Sequence, residues 1–311
     1  MNEDALRRIE RELGPDVLDR LAALPGADLT TVMLEIARPR VDALDPSGVL
    51  RRYETDRFVR PGAVDPAAVR RIEDTLIAAL PPRFETVALS PVVPLGAHRI
   101  AGVDQSRVLT TVRSNEVAAD PTNALALEAA VRRRRALDDD PRASVPVHLA
   151  AAQRVTRGQR FEGEGVFSHF VILGLVTAGR DTGDLSFERE AVVEHVALAA
   201  DAIRRVTGSN VVVELTDLAE GRMTDVSTSV RDALADTDVR DRPDREAGRA
   251  YYDRFCFKAY AIADGEPFEV ADGGLVDWTQ RLVPSRKERL MISGLGVERL
   301  ALASRGSATG A

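Results

Sequence analysis

Four short stretches rich in β-branched and aromatic residues, 148–156, 167–177, 210–215 and 254–263, set the strongest limit on the fold. Only one long helical period lies among them, 188–206, with Val192, Val193, Val196, Leu198, Ala199 and Ile203 apolar. A parallel doubly wound sheet needs a crossover helix between its strands. Strands that follow one another with so few helices therefore predict an α+β fold built on an antiparallel sheet. The chain has 311 residues, 44% of them hydrophobic and 29% charged, enough to bury one large core.

Upstream of that block the pattern is helical. Leu6, Ile9, Leu13, Val17, Leu18 and Leu21 recur at helical spacing, broken at Gly14-Pro15, and a further helix is expected from Asp28 to Ala37, ahead of Pro39. Residues 1–62 are thus expected to form an N-terminal helical arm. Asp65-Pro66 then opens a helix with aspartate at the cap and proline in the first turn, and Val69, Ile72, Leu76, Ile77 and Leu80 share a face until Pro81-Pro82. Strands are expected over 84–93 and 107–112 and a helix over 121–135, which places the main domain at 63–303. The small, polar residues 304–311 are expected to be a disordered tail.

Charge and cysteine usage narrow the partners. Against 42 Lys+Arg stand 49 Asp+Glu, a formal charge of −7, which argues against a broad basic surface for nucleic acid. One cysteine, Cys256, excludes an intramolecular disulfide and a multi-cysteine zinc site and fits a reducing compartment. Its setting between Phe255 and Phe257 marks it as a packing residue. His98, His148, His169 and His195 fall at no metal-ligand spacing. The acidic start reads as no targeting leader, and no apolar run nears the ~20 residues that span a bilayer, so a cytoplasmic protein without membrane contact is expected.

The chemistry-bearing pattern is Gly294-Leu295-Gly296-Val297-Glu298-Arg299. Its glycines let a backbone pass close to a nucleotide, and an arginine on the first helical turn can grip a terminal phosphate. The block resembles motif 3 of the class II aminoacyl-tRNA synthetases. Phe84 to Val93, following a helix, resembles their motif 1, which implies a homodimer formed through the region 65–93. Arg154 to Gln159, with Phe167 to Gly179 behind it, resembles motif 2 and implies Arg157 on the α-phosphate of ATP. Arg249 to Tyr260, with its Tyr251-Tyr252 pair, is similar to a strand of the histidyl-tRNA synthetases and of the ATP phosphoribosyltransferase regulatory subunit. Asp272-Gly273-Gly274 resembles their Gly-Gly turn, and Asp120-Pro121-Thr122 their Arg-Pro-Glu-x-Thr segment.

The resemblance covers about 65–303 and implies ATP and Mg2+ as cofactors. It makes Arg157 and Arg299 the catalytic pair and sets Gln159, Phe170, Glu298 and Gly296 around the nucleotide, with Glu298 on the magnesium ion. Glu116 or Asp120 would hold a substrate ammonium; Thr122, Arg249, Tyr251, Tyr252, Gly273 and Gly274 would complete a pocket for a small amino or carboxylic acid. His169 is a further candidate beside Phe170, and Trp278 either caps the pocket or packs the sheet edge.

The sequence also departs from the family. Gln159 stands where motif 2 has an acid, and Ile172 and Val176 stand where histidyl synthetases present polar groups, so histidine is not the expected substrate. Ala247 replaces the histidyl arginine, with Arg245 and Arg249 flanking it and Arg249 the favoured substitute. The chain ends soon after the Glu298-Arg299 block, so no anticodon-reading domain and no ordinary tRNA charging are expected. Two functions are compatible: a ligase that makes an acyl-adenylate and passes the acyl group to a non-tRNA acceptor such as a carrier, or a non-catalytic ligand-binding regulatory subunit of a partner enzyme.

Overall fold

The computed structural model describes residues 3–158, 167–246 and 248–308. Four helices, α1 (Glu3–Leu13), α2 (Val17–Ala22), α3 (Gly26–Asp42) and α4 (Pro46–Thr55), form the arm, and none of them buries a residue. Leu13, Met33, Ile36, Val41, Leu44, Val49, Leu50 and Tyr53 all stay exposed. The stop expected at Pro39 does not occur, because α3 runs through it to Asp42. Pro39 lies on an exposed face, where water can take over the carbonyl that loses its amide partner.

α5 (Pro66–Ala78) begins as expected, with the Asp65 carboxylate accepting from the amides of Ala67 and Ala68, and it buries Val69, Ile72 and Leu76. The strand expected over 84–93 is split into β1 (Glu85–Thr86) and β2 (Val92–Pro94). β2 pairs with β3 (Asn115–Val117) in a separate ribbon, after the short helix α6 (Ala97–Ile100). No strand forms over 107–112, since Asp104 caps a turn at Gln105–Arg107 and only Thr110 bridges to Glu116.

The main sheet uses β4 (Val147–Thr156), β5 (His169–Arg180), β6 (Val211–Asp217), β7 (Asp238–Asp241), β8 (Phe255–Ala263), β9 (Glu266–Val276) and β10 (Glu288–Gly296). Its eight strands run in the order β1-β4-β5-β10-β9-β8-β6-β7. All neighbours from β4 to β6 are antiparallel, and only the edge strands β1 and β7 pair in parallel. The expected α+β architecture is therefore present: an antiparallel sheet flanked by helices.

α5, α8 (Ser186–Thr207), α9 (Thr224–Ala233) and α11 (Val297–Ala308) cover one face, burying Val171, Leu173, Leu175, Met291 and Leu295 from alternate sheet positions. α7 (Pro121–Asp139) and α10 (Trp278–Leu282) cover the other, over Leu149, Val176, Leu290 and Ile292. The tail expected to fray at 304–311 continues α11 as far as Ala308, and 309–311 lie outside the described residues. No helix among the described residues is long and apolar enough to cross a membrane.

Candidate active site

Strand register gathers the key residues at one end of the sheet. Thr156 of β4 pairs with His169 of β5, and Ile172 of β5 pairs with Gly296 of β10, so Arg157, Phe170 and Arg299 all lie at the same end of three adjacent strands. Phe170, Ile172, Gly294 and Gly296 share the α7 face, because side chains alternate along each strand.

Arg157 follows β4 directly and is half-exposed. Its Nε donates to the carbonyl of Ala119 at 3.1 Å and its Nη2 to Asp120 Oδ2 at 2.9 Å, with the guanidinium 5.2 Å from the centroid of the Phe170 ring. Arg299 stands on the first turn of α11, 3.5 Å from Glu269 and 5.4 Å from the Phe268 ring centroid. Between them, Gly294 and Gly296 are partly exposed positions of β10. A methyl group at Gly294 would meet only the Ile172 side chain, at 3.1 Å, and one at Gly296 would first meet the side chain of Arg299, at 3.3 Å. The bare backbone there is a strip a flat ligand can approach closely.

Asp120 caps α7. Its Oδ1 accepts from the amide of Thr122 at 2.9 Å and from its hydroxyl at 2.7 Å, while Oδ2 takes Arg157. Glu116 has a different role from the one expected. It is fully buried and accepts from the amides of Gly96 and His98 and from His98 Nδ1 at 2.5 Å, so it anchors the preceding loop and has no lone carboxylate to offer an ammonium. Burial alone would raise its carboxyl, but the hydrogen bonds from His98 and Gly96 hold it below the ordinary range. His98 Nε2 in turn accepts from the amide of Ala119 at 3.0 Å, which fixes the approach to Asp120.

Glu298 also differs from expectation. One oxygen accepts the amide of Val171 at 2.8 Å and the other lies 3.1 Å from Arg154, in a side chain only 5% exposed. It ties α11 to β5 and is not available as the expected magnesium ligand. Among the described residues, no group of three or more His, Cys, Asp or Glu is placed to hold a metal ion. His169 points away from Phe170, with Nδ1 3.1 Å from Arg154 and Nε2 2.6 Å from the carbonyl of Arg60. Gln159 lies outside the described residues.

Deeper on the α7 face the structure joins residues that the sequence named separately, with Arg245 in place of the favoured Arg249. The buried Arg245 donates through Nη2 to both oxygens of Asp272, at 3.0 and 2.9 Å, and Tyr252 donates its hydroxyl to Asp272 at 3.0 Å. Arg249 is exposed and donates to the carbonyl of Pro243 at 3.4 Å, so Arg245 occupies the inward position expected for Arg249. Lys258 pairs with Glu269 at 2.6 Å beside this cluster. Charged residues in the middle of strands, such as Lys258 and Asp272, were the available signal for it.

Gly273 and Gly274 are required by packing. A methyl at Gly273 would sit 2.6 Å from Phe257, and one at Gly274 2.5 Å from the carbonyl of Phe255 and 2.6 Å from the Tyr252 ring. They bring the sheet under Tyr252 and leave no room of their own for substrate. Tyr251 stacks edge-on with Tyr252 and with Trp278 at centroid separations of 5.2 and 5.3 Å. Trp278 is thus buried packing rather than a cap. Burial pushes the Cys256 thiol up to about 11, which fits the packing role read from its neighbours.

No family model matches the sequence, and no curated protein matches it. Solved structures do. The S. aureus histidyl-tRNA synthetase matches with a TM-score of 0.58 at 14% identity, over 78% of this chain and 66% of that one. An ATP phosphoribosyltransferase regulatory subunit/histidyl-tRNA synthetase from Bacillus halodurans matches with a TM-score of 0.59 at 13% identity, over 79% and 82%. A histidine–tRNA ligase subunit from Alicyclobacillus acidocaldarius gives 0.54 at 15%, over 81% and 97%. The likeness to these structures shows that this chain has the fold of a class II aminoacyl-tRNA synthetase catalytic domain.

Proposed function

We propose that the protein activates a small carboxylic or amino acid with ATP and transfers the acyl group to an acceptor other than tRNA. The observation that carries this reading is the placing of Arg157 and Arg299, both half-exposed, at the same end of the sheet, after strands β4 and β10 that flank β5, beside the strip at Gly294 and Gly296. In the reaction an oxygen of the substrate carboxylate attacks the α-phosphorus of ATP, and pyrophosphate leaves with the electron pair of the broken P–O bond. Arg157 steadies the charge that builds on the α-phosphate and Arg299 holds the far end of the triphosphate. Phe170 offers an aromatic face to the base. With Glu298 engaged elsewhere, no step is assigned to a protein-bound magnesium ion.

A second reading, a ligand-binding regulatory subunit acting with a partner enzyme, is favoured by one feature. Both arginines already have carboxylate partners in this chain, Asp120 and Glu269, which a triphosphate must displace.

ATP–pyrophosphate exchange over a panel of acids separates the two. Activation requires exchange with at least one acid, and Arg157→Ala and Arg299→Ala should each lower it by about 100-fold or more while leaving the fold intact. Binding of a small acid without any exchange supports the regulatory reading instead.

A further inference from the structure

The helical arm concentrates the apolar surface that the chain leaves open. Of the fourteen large hydrophobic side chains left exposed, eleven lie in residues 1–62 and only three in the rest of the described residues. They follow helical spacing: Leu6, Ile9 and Leu13 lie on one face of α1, and Leu29, Met33 and Ile36 on one face of α3. Helices of 11, 6, 17 and 10 residues are near or below the length that holds in water without packing. Since none of the four buries a residue within this chain, another molecule must supply the cover.

Charge decides what kind of molecule. The arm carries ten arginines and no lysine against twelve aspartates and glutamates. Binding to anionic lipid or to nucleic acid draws on an excess of positive charge, which is missing here. Near-equal numbers of both signs instead suit a copy of the same surface. Asp28 stands in the first turn of α3 and Arg40 in its last, and neither has an ion-pair partner among the described residues. Two α3 helices laid antiparallel about a two-fold axis and crossing at mid-helix seat each Asp28 beside the partner's Arg40, with Met33 and Ile36 of both in the seam. The area also fits. A stable interface takes about 800 Å² from each partner, and eleven large apolar side chains, each more than a third open, are on the order of that.

We propose that the arm is a dimerisation element, pairing with the arm of a second copy through antiparallel α3 helices. This pairing is separate from association through the region 65–93 and from any activity at the candidate site.

Sedimentation velocity on the full chain, from nanomolar to tens of micromolar, tests it. The wild type should pass from 33.7 kDa to about twice that mass. Met33→Glu with Ile36→Glu should weaken the association by about 100-fold or more, because two charges enter the apolar seam. Both positions are exposed in the single chain, so the unfolding midpoint of the main domain should not move.

A mixing experiment reads the register. Asp28→Arg and Arg40→Asp each set like charges together twice in their own dimers, whereas a mixed dimer of the two restores both opposite-charge contacts. An equimolar mixture should therefore be mostly heterodimer by native mass spectrometry. A statistical mixture overturns the α3 pairing. A single-chain mass throughout the range overturns the proposal, as does a dimer indifferent to Met33→Glu with Ile36→Glu. Co-sedimentation with phosphatidylglycerol vesicles by a chain that stays monomeric, lost in the Met33→Glu and Ile36→Glu variant, overturns it in favour of a lipid surface.

Discussion

Arg133 and Glu288 come from positions 155 residues apart and are both fully buried, linked at 2.8 and 3.0 Å. The remaining donors of Arg133 go to the carbonyls of Val145 and Ala143. Removing one partner strands a buried charge, so Arg133→Met should cost about 3–5 kcal/mol in urea denaturation, and Arg133→Met with Glu288→Leu should recover most of it. His195 is the other buried group with a clear consequence. It lies 2.9 Å from Thr177 Oγ1 and 2.8 Å from Ser293 Oγ, and burial, partly opposed by Glu194, lowers its imidazole to about 3. A folded pKa below the unfolded one means that the unfolded chain binds the extra proton first. Stability is thus full above about 6.5 and declines as pH falls toward 3, by up to ~1.4 kcal/mol per pH unit. His195→Gln should flatten that slope in denaturation curves taken between pH 7.5 and 4.5; an unchanged slope would assign it to other groups. Arg157, Phe170 and Arg299 could be singled out from the sequence because each sits in a short contiguous pattern, and the structure sets them at one end of the sheet. Arg245 was not: Gly248 turns the chain at φ 75°, the next residues form a short 3-10 turn, and Arg249 ends outside while Arg245 points in.

The seam between α7 and β5 depends on Gly174, where an added methyl would lie 2.7 Å from Pro121 and 3.4 Å from Leu125. Gly174→Ala should therefore push α7 outward, costing about 1–3 kcal/mol and displacing Asp120, Thr122 and Asn123 with it. Gly294→Ala is the contrasting case, since only a methyl of Ile172 stands within 4 Å. It should change stability by less than about 1 kcal/mol yet depress exchange, because the new side chain enters the strip assigned to the nucleotide. Equal effects of the two on stability would argue against an open strip. β9 escaped the sequence reading because Gly273-Gly274 resembles a turn. The turn is at Asp264-Gly265, with φ values of 50° and 85°, while the glycine pair runs mid-strand where Phe257 and Tyr252 fill the missing volume.

The arm and the main domain are joined lightly. Arg57 donates to the carbonyl of Gly158 at 2.6 Å and to Ser168 at 3.1 Å, but α1 to α4 bury nothing. Deleting residues 3–55 should accordingly move the unfolding midpoint by only a few degrees, about what a 1 kcal/mol change produces in a domain of this size. We propose that two copies associate through the region 65–93, as the motif 1 resemblance implies. Light scattering at micromolar concentration should then give about twice 33.7 kDa, and the single-chain mass would refute it.

Sequence alone determined the features that near neighbours control: the helix over α5 with its Asp65-Pro66 start, the long α8, the strands β4, β5, β6 and β8, and the arginine beside the glycine pattern at the head of α11. Caps, periodicity and glycine turns act over a few residues, so they can be read from a line of text. What only the tertiary structure decided was which carboxylate each arginine meets, and which polar groups meet none. Glu116 and Glu298 were both plausible site residues, and their roles turned out otherwise because a hydrogen bond forms or fails over a few tenths of an ångström, a distance set by the packing of strands and helices far apart in the chain.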